Sequence, residues 1–73
     1  SRKRDYVVAR QVTMYLAQKY TKMPASRIGK LVGNRDHSTV IHSCSKVEER
    51  LKIDAGFSDE LVSIENGLKV KRA

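Results

Sequence analysis

Two glycines four residues apart, Gly29 and Gly33, limit the fold of this chain more than any other feature. A glycine inside a helix costs about 1 kcal/mol relative to alanine, and close approach of a second element is a physical reason to keep one there. A glycine at a helix end accepts the left-handed conformation that stops the helix. Pro24 suits the opening turn of a helix, so residues 24–32 read as a short helix with Ile28, Leu31 and Val32 turned inward. Gly33 ends it, Asn34, Arg35 and Asp36 make a turn, and Asp36 is the N-cap of a longer helix over residues 37–52. Val40, Cys44, Val47 and Leu51 form that helix's inward stripe. A short helix, a glycine turn and a longer helix over residues 24–52 match a helix-turn-helix whose turn is about one residue longer than the tightest form. The same spacing also describes an unrelated helical hairpin.

The rest of the pattern is helical as well. Val8, Val12, Leu16 and Tyr20, with Tyr15 alongside, predict an amphipathic helix over residues 5–20. Asp54, Ala55 and Gly56 predict a break, followed by a last helix over residues 58–70 with Phe57, Leu61, Ile64 and Leu68 on one side. The expectation is an all-α fold of about four helices in a single domain over residues 1–73. A chain of 73 residues buries one modest core.

Charge narrows the function. The formal net charge is +7, and it is unevenly placed. Residues 1–46 hold ten Lys/Arg against two acids, while residues 47–73 hold five against six. A basic excess confined to the part containing the turn points to an anionic partner there: DNA, RNA or an acidic membrane surface. Trp is absent and only 5% of residues are aromatic, which argues against a base-stacking platform for single strands. Cys44 is alone, so no internal disulfide forms, which fits a reducing cytoplasm. No apolar run approaches the length of a membrane span, and no signal-peptide pattern follows the basic start. Because the first residue is not Met, a piece of a longer or processed protein is expected.

Asp36, His37, Ser38 and Thr39 open the third helix, at the place where helix-turn-helix proteins meet base edges in the major groove. Asp accepts from cytosine N4, Ser and Thr bond either way, and the Thr methyl touches a thymine methyl. N-capping alone explains Asp36 equally well, and ordinary helix-start chemistry explains Ser38 and Thr39. Arg2, Lys3 and Arg4 read either as a basic N-terminal arm that follows the phosphates or enters the minor groove, or as a solvated terminus. Lys46 and Arg50, one turn apart, are candidate phosphate contacts. His37 and His42 are five apart, whereas a helical zinc pair uses four, so no metal is expected. Asp36, His37 and Ser38 are chain neighbours that do not face one another on a helix, so no catalytic triad is expected either.

The run Gly33-Asn34-Arg35-Asp36-His37-Ser38-Thr39-Val40-Ile41-His42 resembles the signature Gly-Gly-Arg-Asp-His-Thr-Thr-Val-Leu-His of the DnaA family of bacterial chromosomal replication initiators. Upstream, Ala9-Arg10-Gln11-Val12 and Met14-Tyr15-Leu16-Ala17 resemble that family's Arg-Gln helix. The similarity is legible from Arg2 to Leu51 and fades in the last helix. The resemblance implies a Trp-repressor-like helix-turn-helix domain with a basic N-terminal arm. It implies base contacts from Arg2 in the minor groove, from Arg10 on the first helix, and from Asp36, His37, Ser38 and Thr39 in the major groove. Lys3, Gln11, Thr21, Ala25, Ser26, Arg35 and Lys46 fall at or near phosphates, with Ala25 and Ser26 in place of a Leu-Pro pair that packs near the DNA. Ser38 stands where Thr is commoner and lacks its methyl group.

The family's ATP-binding motor has no counterpart here, since no Gly-x4-Gly-Lys-Ser/Thr phosphate loop occurs. The resemblance therefore implies no cofactor and no catalysis in this chain. Its expected partners are double-stranded DNA, the motor domain of a parent protein and acidic phospholipid, and its expected location is the cytoplasm, at the nucleoid. The leading reading is recognition of DnaA boxes at a replication origin. A stand-alone helix-turn-helix transcription regulator and an adaptor for protein or acidic membrane are the alternatives.

Overall fold

A computed structural model describes residues 2–69 as four helices in chain order: α1 (Arg2–Tyr20), α2 (Ala25–Leu31), α3 (His37–Ile53) and α4 (Ala55–Lys69). The predicted end of the last helix at residue 70 lies outside the described residues. α3 is the hub, packing against each of the other three, while α1 also touches α2. Met14, Ile28, Val40 and Cys44, one or two from each of the first three helices, form the fully buried centre. Tyr15, Ala17, Met23, Ala25 and Val32 pack around it. Val47 and Leu61 extend the buried apolar surface to α4.

Several expectations need correction. α1 begins at Arg2, so Arg2, Lys3 and Arg4 form its first turn and not a separate arm. Lys and Arg are good helix formers, nothing before Asp5 breaks the helix, and Asp5 complements the positive end of the helix dipole. The core residue of α1 is Met14, 1% exposed, and not the predicted stripe. Val8, Val12 and Leu16 face a cleft of about 560 Å³ between α1 and α4 and stay half-buried, with Phe57 and Leu61 on its far wall. Tyr20 and Leu31 are exposed. α2 has only seven residues and one inward side, which Ile28 and Gly29 occupy. Ile64 and Leu68 are about half exposed, because among the described residues α4 packs on α3 but makes no close backbone approach to α1.

The break before α4 is a single residue. Asp54 Oδ1 accepts from Phe57 N–H at 3.0 Å and caps the helix, which runs straight through Gly56. Arg50 Nε donates to Asp54 Oδ2 at 3.2 Å, and the guanidinium lies 4.1 Å from the centre of the Phe57 ring. Arg50 is thus turned toward α4, away from the phosphate role suggested by its spacing from Lys46. At the other end of α4, the nearly buried Glu65 carboxylate accepts from Lys19 Nζ at 2.6 Å and from Tyr20 Oη at 2.5 Å. Both donors sit in the last turn of α1. α4 is therefore held by a cap and a stacked cation at its start and by a carboxylate clasp near its end.

Candidate nucleic-acid interface

The turn between α2 and α3 is built from conformations that few residues adopt. Gly33 has φ +79° and Asn34 has φ +51°. Two left-handed residues in succession reverse the chain, and Asn tolerates that region better than other non-glycine residues. Asn34 is the position where the family signature carries its second glycine, so the substitution keeps the backbone shape. The turn closes when Arg35 N–H donates to the Gly29 carbonyl at 2.7 Å. A Cβ built on Gly29 would lie 2.0 Å from the Arg35 carbonyl oxygen and 3.2 Å from that of Asp36. The element that demands glycine at this position is the backbone of the turn, not the crossing helix that the spacing suggested.

Asp36 then starts α3. Its Oδ1 accepts from Thr39 N–H at 2.9 Å. That bond, together with the Thr39 hydroxyl, holds the carboxyl below its ordinary range, and the neighbouring His37 adds a smaller effect in the same direction. A carboxylate has more acceptor sites than a cap uses, so capping and base contact are compatible in one side chain. Asp36, His37, Ser38 and Thr39 are all exposed. Lys46 is exposed two turns beyond Thr39.

α1 reaches the same place. A Cβ built on Gly33 would sit 3.0 Å from Arg10 Cδ and 3.2 Å from Arg35 Nε. The side chains of Arg10 and Arg35, one from the first helix and one from the turn, therefore converge over Gly33. Neither is in an ion pair among the described residues. Together they give this surface a positive field that attracts an anion. The structure thus brings Arg10, Arg35 and residues 36–39 into one surface.

The other predicted residues divide. Ser26 is exposed and lines a cleft beside the turn, whereas Ala25 is half-buried and packs against the core. Gln11 is half-buried. Thr21 donates its hydroxyl to the Ala17 carbonyl at 2.6 Å and accepts from Met23 N–H at 3.2 Å, so it is already occupied in ending α1. Arg2 and Lys3 are exposed on the first turn of α1, with Arg2 about 12 Å along the helix axis from Arg10. The left-handed backbone of Asn34 was not read from the sequence, although Asn tolerates that region and stands opposite a signature glycine.

Among the described residues, no group of three or more His, Cys, Asp or Glu is placed to hold a metal ion, and no helix is long and apolar enough to cross a membrane. Burial, with a smaller push from Glu48, raises the pKa of the Cys44 thiol, which keeps it a neutral core group.

A short α2, a left-handed turn and an exposed, capped start to α3 define a helix-turn-helix domain. The family model described as the bacterial DnaA protein helix-turn-helix matches residues 1–47. The chain belongs to that family. It is 51% identical over 71 residues to the chromosomal replication initiator protein DnaA of Bacteroides thetaiotaomicron, covering 97% of this chain and 15% of that protein. It is 46% identical over 61 residues to the protein of that name from Lachnoclostridium phytofermentans, covering 84% of this chain and 14% of that one. With the Nostoc protein of the same name it shares 37% over 70 residues, covering 96% and 15%. The chain thus spans about 15% of the length of the curated relatives it matches. An alignment of 71 residues runs well into α4, so the similarity extends past the Leu51 limit drawn from the motifs. No solved structure matches the chain significantly.

Proposed function

We propose that this chain is the part of a DnaA-type replication initiator that reads short asymmetric duplex sites, the DnaA boxes, at the chromosomal origin. The observation that carries the reading is the convergence of Arg10 and Arg35 over Gly33, beside the exposed start of α3. It supplies base-edge chemistry and phosphate-seeking charge on one surface, in a family whose full-length relatives are named as replication initiators.

In this reading the first turn of α3 enters the major groove. Asp36 offers its carboxylate to a cytosine amine, His37 and Ser38 reach purine or pyrimidine edges, and the Thr39 methyl meets a thymine methyl. Arg10 adds a contact from α1, and Arg2 extends the footprint as part of a helix, not as a free arm. Lys3, Gln11, Arg35 and Lys46 meet phosphates and supply most of the affinity and its salt dependence. Ser26 borders the same surface. A phosphate contact from Thr21 requires its hydroxyl to leave Ala17, and Ala25 acts through the core. The chain catalyses nothing and holds no cofactor, and nucleotide chemistry belongs to the motor domain of the longer protein.

The test separates readers from clamps. In His37→Ala, the ratio of affinities for a box duplex and a scrambled duplex falls roughly tenfold, while affinity for the scrambled duplex is nearly unchanged. In Lys46→Ala, both affinities fall together and the salt slope drops by about one. Identical behaviour of the two variants would overturn the assignment. Binding to acidic liposomes that persists in excess box DNA would favour a membrane adaptor instead.

A further inference from the structure

α2 carries a cation that neither the motif nor the resemblance assigns. Lys30 lies one turn beyond Ser26, on the same side of the helix, because residues four apart are neighbours on a helix surface. Both line the cleft of about 360 Å³ formed with Asn34, Arg35, Asp36 and His37. Lys30 is exposed and, among the described residues, is in no ion pair. The single acid in that cleft, Asp36, is already bonded through Oδ1 to Thr39 N–H. The cleft therefore has Lys30 on one wall and Arg35 on the other, immediately beside the residues placed to read bases.

We infer that Lys30 is a phosphate contact of the DNA complex, clamping from α2 the strand that borders the groove entered by α3. The inference rests on the DNA-reading proposal and extends it to a second wall of the site. The geometry of docking requires such a wall. The major groove is about 12 Å wide, so a helix that enters it brings the flanking sugar-phosphate backbone against its neighbours in the fold. In helix-turn-helix proteins the first helix of the pair crosses that backbone. The Ser26–Lys30 side of α2 is the side that lines the cleft next to the α3 start, which gives the ammonium an anion to meet. A simpler role is also available, since a Lys in the last turn of α2 complements the negative end of its dipole. That role changes stability without changing the number of counterions released when DNA binds.

The experiment is a fluorescence titration of the chain and its Lys30→Ala and Lys30→Arg variants against box and scrambled duplexes over a series of salt concentrations. Lys52→Ala, at the far end of α3, serves as the control. Lys30→Ala is expected to weaken binding to both duplexes by the same factor, several-fold at moderate salt, and to lower the slope of log K against log salt by about one. Lys30→Arg is expected to restore the slope, and Lys52→Ala to leave it alone. An unchanged slope in Lys30→Ala, with the parent chain still discriminating between duplexes, overturns the clamp and spares the DNA-reading proposal. Failure of the parent chain to discriminate overturns that proposal instead. If the slope still drops in that case, Lys30 stands as a nonspecific phosphate contact.

Discussion

Single atoms decide most at Gly29. The Arg35 carbonyl lies where a Cβ would go, and that carbonyl belongs to backbone that cannot rotate away. Gly29→Ala must displace the turn, at an overpacking cost of ~1–3 kcal/mol or more. Chemical denaturation will show a matching loss of stability, and box affinity will fall further than stability alone explains, because the turn aims α3. Gly33→Ala meets a softer obstacle. Its neighbours are the flexible side chains of Arg10 and Arg35, so the main cost is the left-handed backbone, ~1–2 kcal/mol. The caps give a pH signature. Asp36 and Asp54 have folded pKa values below the ordinary 3.8, chiefly through the N–H groups of Thr39 and Phe57. A depressed carboxyl stabilises the fold above its unfolded pKa and loses that effect as pH falls through the folded value. Stability from these caps is therefore constant from pH 5 to 8 and declines below about pH 4. Thermal melts of Asp36→Asn and Asp54→Asn will show a shallower acid decline than the parent chain. An acid limb of the same steepness in both variants would show that the caps contribute nothing to it.

The helices show why some features were legible in the sequence and others were not. The turn, its cap and the inward stripe of α3 were legible because their causes are local: Gly33 ends one helix, Asp36 starts the next, and Val40, Cys44 and Val47 repeat at helical spacing. The inward side of α1 was not, because apolar spacing does not say which neighbour a stripe meets. Met14 faces α2 and α3, while the Val8, Val12 and Leu16 stripe faces the gap to α4. The start of α4 was placed late because Gly56 reads as a breaker, whereas the Asp54 cap supports a helix through it. The Lys19–Tyr20–Glu65 clasp spans more than forty residues and leaves no local trace. It yields a prediction for α4 alone. Glu65→Gln weakens the hold on the end of α4, so amide exchange there accelerates while box affinity stays within about twofold, because the proposed reading surface is drawn from α1, α2, the turn and α3. Loss of DNA binding in that variant would place α4 within the interface. The hydrogen bond to Glu65 raises the pKa of both Lys19 and Tyr20. Their stabilising effect is thus complete below their ordinary values near 10 and is lost only as pH rises through the higher folded values.

Across the whole molecule, charge and shape agree. The basic excess lies in residues 1–46, which supply α1, α2, the turn and the start of α3. The acid-balanced remainder supplies the end of α3 and the α4 buttress. The exposed turn and capped start of α3 on which the proposed DNA-reading surface rests were largely foreseeable from sequence, because the signature run carries its own backbone chemistry. The part that required the fold was the meeting of Arg10 with Arg35 over Gly33, two residues 25 positions apart in the chain. The most direct measurement of the central claim is the affinity of the parent chain for a duplex containing a DnaA box and for a scrambled duplex of equal length, each at two salt concentrations. Tighter binding to the box by a factor of at least 1,000, on the order expected for specific over nonspecific DNA binding, with both affinities falling as salt rises, is the predicted result. Equal affinity for the two duplexes at both salt concentrations would contradict it.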